Sequence, residues 1–490
     1  MSVQIFLHGK IVGLQEFLLS PSSGRADGTL PGGEALLAGR SRWVSLLSEV
    51  LPRALLAELG LARVLLGSSG GGQFMVVVPS EAKPQAASLL EAASREIQEI
   101  SGGHLHLVFA VTENLGDWSV VRRRLGDAGD RRRGTPLADQ PGDTFEPFAA
   151  SPASDPDEYF TRGMALDLQM AQSVGWSPET PGRVLAGSGK HTWPLGSGPS
   201  LEGIAIARHA ATADDGATAA DLAALASRAQ GRPAWGVLRG DVDNLGIRLR
   251  RVQTIEEHVQ LSVMYKQFFA GELELICSLP DYWRKVSVLY SGGDDFAVYG
   301  AWDALIPMAR EVQRLFHRFS EENLKDFPGP EGKTITMAIA LARDSSSTLA
   351  SVFEQAGRML GLAKATDKDC IFVLGHTLEW RQLAAASDLR ETMLRMAGEV
   401  ESPRRFLVDL TAFYRKAAAA SRLGAAGRHF EKPWRVQRYL NRALGDTRDK
   451  ELQRLRTHLT NEILVKGVTH TKLRPGGLVA LEWARLLAEV

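Results

Sequence analysis

Two strand-like segments meet at the stretch Tyr290-Ser291-Gly292-Gly293-Asp294-Asp295-Phe296. Residues 285–290 and 296–299 are rich in apolar, β-branched and aromatic side chains, so the Gly-Gly pair between them predicts a hairpin bend. Glycines at a bend allow positive φ and close approach of a ligand. Adjacent carboxylates at the tip are hard oxygen ligands, suited to Mg²⁺ or Mn²⁺ that holds phosphates. Alone, this motif indicates a catalytic turn only weakly, because many surface turns contain Gly and Asp.

A second acidic motif, Gly240-Asp241-Val242-Asp243-Asn244-Leu245-Gly246, follows a strand-like segment about fifty residues upstream. Side chains at positions i and i+2 of a strand share one face. We therefore expect Asp241 and Asp243 to point toward one ion. The alternative is that both residues merely cap the following helix.

The order of elements around the two motifs predicts a ferredoxin-like unit. Apolar residues at helical spacing over 254–278 lie between the motifs, and a second helix near 304–320 precedes a strand at 334–341. The resulting βαββαβ order is the ferredoxin-like layout. In such a sheet the end of the first strand lies beside the central hairpin, so Asp241 is expected next to Asp294 and Asp295. The two motifs in this order favour a catalytic site over a surface turn.

Together, the two motifs resemble those of the large signature subunit of type III CRISPR effector complexes. The resemblance implies two palm domains and conversion of ATP, with Mg²⁺ or Mn²⁺, into cyclic oligoadenylate when target RNA binds. It implies that the metal ligands are Asp241, Asp294, Asp295 and the carbonyl of Val242. We expect the nucleotide to contact Asn244, Ser291, Gly292 and Gly293.

Two lysines near the end of this palm are further candidates. The stretch 361–369 is similar to an Ala-Lys-x-x-x-Lys segment that precedes the last strand in relatives, here residues 370–374. Lys364 and Lys368 are positioned to meet a triphosphate as point charges. A solvated helix end, where lysine is favoured by the helix dipole, explains them equally well.

The N-terminal region repeats the palm without its acids. Residues 6–14 parallel 237–245, and residues 65–74 parallel the acidic hairpin, with helices and strands in the same order through Thr112. The resemblance implies that this first palm forms the other wall of a nucleotide pocket, and Gly71 and Gly72 would then lie in a turn (Gly70–Gly72) that cradles phosphate through backbone N–H groups. A plain flexible hairpin is the alternative.

The pattern along the chain predicts an α+β protein of four domains. We expect a degenerate first palm at 1–120, a linker domain at 121–232, the catalytic palm at 233–375 and a helical bundle from 376 to 490. The linker contains predicted helices at Asp157–Val174 and Ala219–Arg228. Two cysteines in the whole chain exclude the cysteine zinc module that many relatives carry there, and they fit a reducing cytoplasm.

Charge and hydropathy bear on the partners. The chain has 57 basic and 57 acidic residues, but residues 376–490 hold 21 Lys+Arg and 13 Asp+Glu. The basic excess lies mostly within Arg422–Arg474. That excess of eight positive charges favours contact with RNA or an acidic subunit, although many helical bundles carry such faces. The triplets Arg122–Arg124 and Arg131–Arg133 are interpreted as a solvated loop around a turn, with contact to guide RNA or a neighbouring subunit as the alternative. No apolar run is long enough to span a membrane.

The resemblance also sets expectations about partners and output. It implies guide RNA, target RNA, a small helical subunit and backbone subunits, with the C-terminal helices packing on the small subunits unless they form a self-contained bundle. Many relatives begin with an HD nuclease. Here the sequence starts at the first palm and none of the eleven histidines is followed by Asp, so DNase activity is expected to be absent. There are two rival functions. One is a catalytically silent scaffold that binds guide RNA and small subunits, and the other is a cyclase that makes another nucleotide product.

Overall fold

The computed structural model describes residues 4–20, 33–133, 156–196, 202–215, 218–398, 404–412 and 475–489, with a few isolated positions between 438 and 457. Within these residues the fold is mixed α+β, with sheets of four, six and four strands. No helix among them is long and apolar enough to cross a membrane.

The first sheet is antiparallel throughout and has the order β2-β3-β1-β4. Long helices cover it because their apolar faces, including Trp43, Leu47 and Leu90, are fully buried. Its elements are β1 (Gln4–Val12), α1 (Leu14–Leu19), α2 (Gly33–Glu58), β2 (Leu66–Gly70), β3 (Gln73–Pro79), α3 (Lys83–Ile100), β4 (His106–Glu113) and α4 (Trp118–Arg133).

The linker residues build a small sheet against the first palm. A mostly π-helical segment is followed by short strands in the order β6-β5-β7-β8, with Trp176 fully buried in their core. The predicted helix Asp157–Val174 ends at Met170, because Ser173–Trp176 pairs as a strand instead. The elements are α5 (Pro156–Glu158), a π-helix (Tyr159–Asp167), α6 (Leu168–Met170), β5 (Ser173–Trp176), β6 (Leu185–Ala186), β7 (His191–Gly196), β8 (Ile204–Ala205) and α7 (Leu222–Ser227).

The second palm has a six-stranded sheet in the order β10-β11-β9-β12-β13-β14. Its first four strands in sequence therefore pair in the same order as those of the first palm. The elements are β9 (Trp235–Val242), α8 (Leu245–Arg251), α9 (Ile255–Gln267), a π-segment (Phe268–Glu272), α10 (Leu273–Cys277), β10 (Val286–Ser291), β11 (Asp295–Ala301), α11 (Trp302–Asn323), β12 (Ile335–Leu341), α12 (Leu349–Thr366), β13 (Cys370–Val373), β14 (His376–Glu379) and α13 (Trp380–Gly398).

Two local expectations were wrong. The arginine triplets do not flank a turn but lie on helix α4, because Trp118, Val121 and Leu125 form a buried stripe at helical spacing. The helical pattern expected from Thr377 begins at Trp380, since residues 376–379 pair with β13 and extend the sheet past the expected boundary at 375.

The described C-terminal residues pack on the second palm. Helix α14 (Pro475–Leu487) lies against α13, and Phe406, Leu407 and Leu410 of the helical segment 404–412 are buried in the same core. Nearly all of the basic region 422–474 lies outside the described residues.

Candidate active site

Three carboxylates come together in the second sheet, where strand β9 ends and strand β11 begins. Asp241 lies at the end of β9 directly opposite Asp295 at the start of β11, and residues directly opposite in an antiparallel pair have Cβ atoms roughly 5 Å apart. Asp294 occupies the turn before β11, and its carbonyl accepts a hydrogen bond from the amide of Val242 (2.9 Å). The expected neighbourhood of Asp241, Asp294 and Asp295 is therefore present.

Asp243 does not join this cluster, contrary to the i, i+2 expectation. Strand β9 ends at Val242, and Asp243 is buried, with only 1% of its surface exposed. Its carboxylate accepts hydrogen bonds from the hydroxyls of Thr334 (2.8 Å) and Thr336 (2.7 Å) and from the amide of Asp369 (3.0 Å). Asp243 therefore joins β9, β12 and the start of β13, and both of its carboxylate oxygens accept hydrogen bonds there.

The electrostatics of the cluster favour a bound cation. Burial, followed by repulsion from Asp295 and Asp241, raises the pKa of Asp294 to about 7. The pKa of Asp295 is also raised, chiefly by burial and further by Asp241, although a hydrogen bond from Tyr290 opposes the shift. Carboxylates that repel each other in this way are stabilised by any cation placed among them.

The two candidate lysines contact the acidic motif. The Lys364 ammonium, in the last turn of α12, contacts Oδ1 of Asp241. Its positive charge partly opposes the upward shift of the Asp294 pKa. Lys368 donates to the side-chain oxygen of Asn244, which has a left-handed backbone (φ 60°) at the start of α8. Lys364 thus carries positive charge into the cluster, whereas Lys368 and Asn244 hold each other at its rim.

Gly292 is required by the tight geometry of the acidic turn, whereas a Cβ at Gly293 would meet no described atom within 4 Å. The Gly292 amide donates to the carbonyl of Asp295 (2.7 Å), and a Cβ at Gly292 would lie 2.2 Å from Asp295 Oδ1. The hydroxyl of Ser291, expected to meet nucleotide, donates to the carbonyl of Phe269 (2.7 Å). Ser291 therefore fixes the acidic turn to the π-segment.

The glycine turn of the first palm faces the acidic turn. Gly70, Gly71 and Gly72 all have positive φ, and a Cβ at Gly71 would lie 3.4 Å from the amide nitrogen of Gly293. The two turns thus form opposite walls of one narrow gap, as the family resemblance implied.

The donor set suits a divalent cation held jointly with a substrate. Among the described residues, no three Asp, Glu, His or Cys side chains converge as ligands of one ion. Mg²⁺, however, is usually bound by one or two carboxylates together with substrate phosphates rather than by an all-protein cage. The ammonium group of Lys364 already places one positive charge against the carboxylate of Asp241. The acids at Asp241, Asp294 and Asp295 therefore fit such an ion chemically.

Sequence reasoning missed two residues behind the acids. The hydroxyl of Tyr290 donates to Oδ2 of Asp295 (2.8 Å), and a guanidinium nitrogen of Arg239 lies 3.4 Å from that hydroxyl. The guanidinium also lies 4.2 Å from the ring centre of Phe353 on α12. The available signal was a lone arginine in an otherwise apolar strand, two residues before Asp241 and therefore on its face.

The acidic motifs and the strands that carry them match a known domain. The profile of Cas10/Cmr2, second palm domain, matches residues 234–372, which run from the residue before β9 into β13. The chain carries a Cas10-type second palm domain. Comparison with a curated protein and with solved structures agrees.

The Cas10/Csm1 protein of Enterococcus italicus, described as a CRISPR system single-strand-specific deoxyribonuclease of subtype III-A, is 37% identical over 108 residues. Those residues are 21% of this chain and only 14% of that protein. The crystal structure of a Csm1–Csm4 cassette in complex with cA3 matches with a TM-score of 0.70 at 17% identity, covering 99% of this chain and 70% of that one. The cassette with one ATP gives 0.69 at 18% identity, with the same coverage. The resemblance to the Cas10/Csm1 family is confirmed, and the solved structures establish a shared fold.

Proposed function

We propose that this chain is the large subunit of a type III CRISPR effector complex and makes cyclic oligoadenylate from ATP when target RNA binds. The observation that carries the proposal is the gap between the Gly70–Gly72 turn and the Gly292–Gly293 turn, with Asp241, Asp294 and Asp295 at its edge. Matching Csm1–Csm4 cassettes hold cA3 or one ATP, which supports nucleotides as the ligands. The shared strand order of the two sheets supports a pair of ferredoxin-like palms.

The reaction is nucleotidyl transfer, in which a ribose hydroxyl of one ATP attacks the α-phosphorus of another and pyrophosphate leaves. A divalent cation held by Asp241, Asp294 and Asp295 would lower the pKa of that hydroxyl and neutralise charge on the phosphates. Tyr290 holds Asp295 in place through its second oxygen, and Arg239 in turn donates to the Tyr290 hydroxyl. Lys364 supplies positive charge beside the acids.

The remaining parts of the proposal concern partners and output. We propose guide RNA and target RNA, a small helical subunit, backbone subunits and a Csm4-type subunit as partners, since the matching Csm1 chains lie in Csm1–Csm4 assemblies. HD nuclease activity is not part of the proposal, because no histidine of this sequence is followed by aspartate.

The test incubates the purified complex with ATP and Mg²⁺ or Mn²⁺, with and without matching target RNA, and identifies products by mass spectrometry. We expect an adenylate product that depends on RNA and disappears in the Asp294→Ala/Asp295→Ala variant. A product from another nucleotide would replace cyclic oligoadenylate in the proposal. Assembly without any product, under either metal, would establish the scaffold function instead.

A further inference from the structure

A buried cluster of charges joins the two palms directly beneath their facing turns. Lys266, on α9 of the second palm, places its ammonium 2.6 Å from Oε2 of Glu49, on α2 of the first palm. The same oxygen accepts from Arg53 (2.8 Å) and from the hydroxyl of Ser69 (2.9 Å). The side chains of Lys266 and Glu49 are only 18% and 6% exposed. Water therefore screens this pair weakly.

The cluster supports the glycine turn of the first palm. Ser69 immediately precedes that turn, and a Cβ at Gly70 would lie 3.3 Å from Oε1 of Glu49 and 3.9 Å from Cδ of Lys266. A cavity of about 20 Å³, large enough for one water molecule, separates the cluster from the acidic turn and is lined by residues of both palms, among them Gly71 and Gly292. Lys266 is the second palm's contribution to this support.

Lys266 is also connected to the acidic turn through its own helix. The π-segment Phe268–Glu272 begins two residues after Lys266, and single π-turns inside helices are frequent at functional sites. The carbonyl of Phe269 in this segment accepts from Ser291, and its ring stacks on Phe296 with centroids 5.8 Å apart. The residues on both sides of the Gly292–Asp295 turn thus contact the π-segment that directly follows the helix of Lys266.

Removing the lysine charge alone would leave the first palm intact. Glu49 keeps Arg53 and Ser69, both from its own palm, so its carboxylate is still paired after Lys266 is neutralised. What is lost is the ion pair between Lys266 and Glu49, one of the contacts that join the two palms. Lys266 is therefore not needed to neutralise Glu49, and its ion pair with Glu49 serves as a contact between the palms.

We propose that Lys266 is a positioning residue that, through Glu49, sets the spacing between the glycine turn of the first palm and the acidic turn of the second. This inference rests on the proposed function, because that spacing defines the gap in which ATP would bind. Lys266 itself touches neither acid and is not a catalytic residue.

The test compares Lys266→Met with Lys266→Arg and with Lys285→Met in the assembled complex. Lys285 is a matched control: its ammonium lies 2.7 Å from Asp303, it is 24% exposed, and it lies at the opposite end of the β10–β11 hairpin from the acidic turn. Because small misplacements of bound reactants are costly, Lys266→Met is expected to raise KM for ATP roughly tenfold. Lys266→Arg and Lys285→Met are expected to stay near the wild-type KM.

Hydrogen exchange of the same variants gives a readout that is independent of activity. We expect Lys266→Met to speed exchange in both residues 66–74 and residues 290–296, and Lys285→Met to leave both segments unchanged. Unchanged exchange and KM in Lys266→Met, or equal effects of the two methionine variants, would overturn the inference. If exchange responds as expected but the wild-type complex makes no nucleotide product, the coupling of the turns holds and the proposed function fails.

Discussion

Substituting each aspartate of the Gly-Asp-Val-Asp motif by alanine should produce opposite defects. Asp241→Ala removes a partly exposed carboxylate that repels Asp294, and leaves no buried donor unpaired. Asp243→Ala removes the acceptor of two hydroxyls and one backbone amide. Asp241→Ala should therefore abolish ATP turnover in a protein of unchanged stability, whereas Asp243→Ala should destabilise the second palm.

The size of the Asp243 effect follows from its three hydrogen bonds. Each hydrogen bond to a charged group contributes about 1.5–3 kcal/mol, and part of this is recovered because Thr334 and the Asp369 amide can reach water. A net loss of about 3–5 kcal/mol lowers the melting temperature of a unit of this size by roughly 10 °C. Thr336→Val is a milder version, since it removes one donor from the same carboxylate and should cost about 1 kcal/mol.

The assay is thermal unfolding of the metal-free chain, followed by circular dichroism, with wild type and both alanine variants at one pH and ionic strength. ATP turnover of the assembled complexes is measured alongside. Equal melting temperatures for Asp241→Ala and Asp243→Ala would refute the structural role of Asp243. A loss of metal binding in Asp243→Ala without any loss of stability would show that it is a ligand after all.

Three further predictions concern other parts of the site. The pKa of Asp294 rises from 3.8 to about 7 on folding, so the metal-free wild type should lose stability as pH rises through that window; Asp294→Asn should lack this loss, and denaturant unfolding at pH 5 and pH 8 measures the difference. Gly71→Val, at φ +60°, should block the gap and weaken ATP binding more than tenfold, while Gly103→Ala, at φ +83° with no described atom within 4 Å of its Cβ, should show only the backbone strain of roughly 1–2 kcal/mol; nucleotide titration and melting separate the two effects. Arg122→Met should free the carbonyls that its guanidinium caps at the end of α8 and speed hydrogen exchange over residues 245–252, whereas the exposed neighbour Arg123→Met should have no effect.

The acidic hairpin was predictable because its signals are local. Alternating apolar residues, a Gly-Gly bend and the βαββαβ order determine which strands become neighbours, and these neighbours bring Asp241 opposite Asp295. That the turn at Gly70–Gly72 faces the acidic turn was implied by the family resemblance, because the internal repeat itself indicates only that the first palm has a corresponding hairpin. The placement of the acids needed only the sequence period and the order of elements.

The errors arose where the outcome depended on contacts distant in sequence. Asp243 fits the i, i+2 rule only if strand β9 continues, but Thr334 and Thr336 from β12 capture its carboxylate as the strand ends. The arginine triplets were interpreted as a solvated loop because their many charges outweigh the few apolar residues of the buried stripe that begins at Trp118. Strand β14 has four residues and depends on pairing with β13, which no local pattern reveals.

The two facing turns belong to a single polypeptide, and this affects how the fraction of complete sites depends on protein concentration. When two walls of a site lie on separate chains, the fraction of complete sites depends on protein concentration. Here the linker between the palms makes their encounter intramolecular, so that it does not depend on protein concentration. The gap should therefore form even when the complex is present at a few copies per cell, so dilution of the complex should leave turnover per molecule constant.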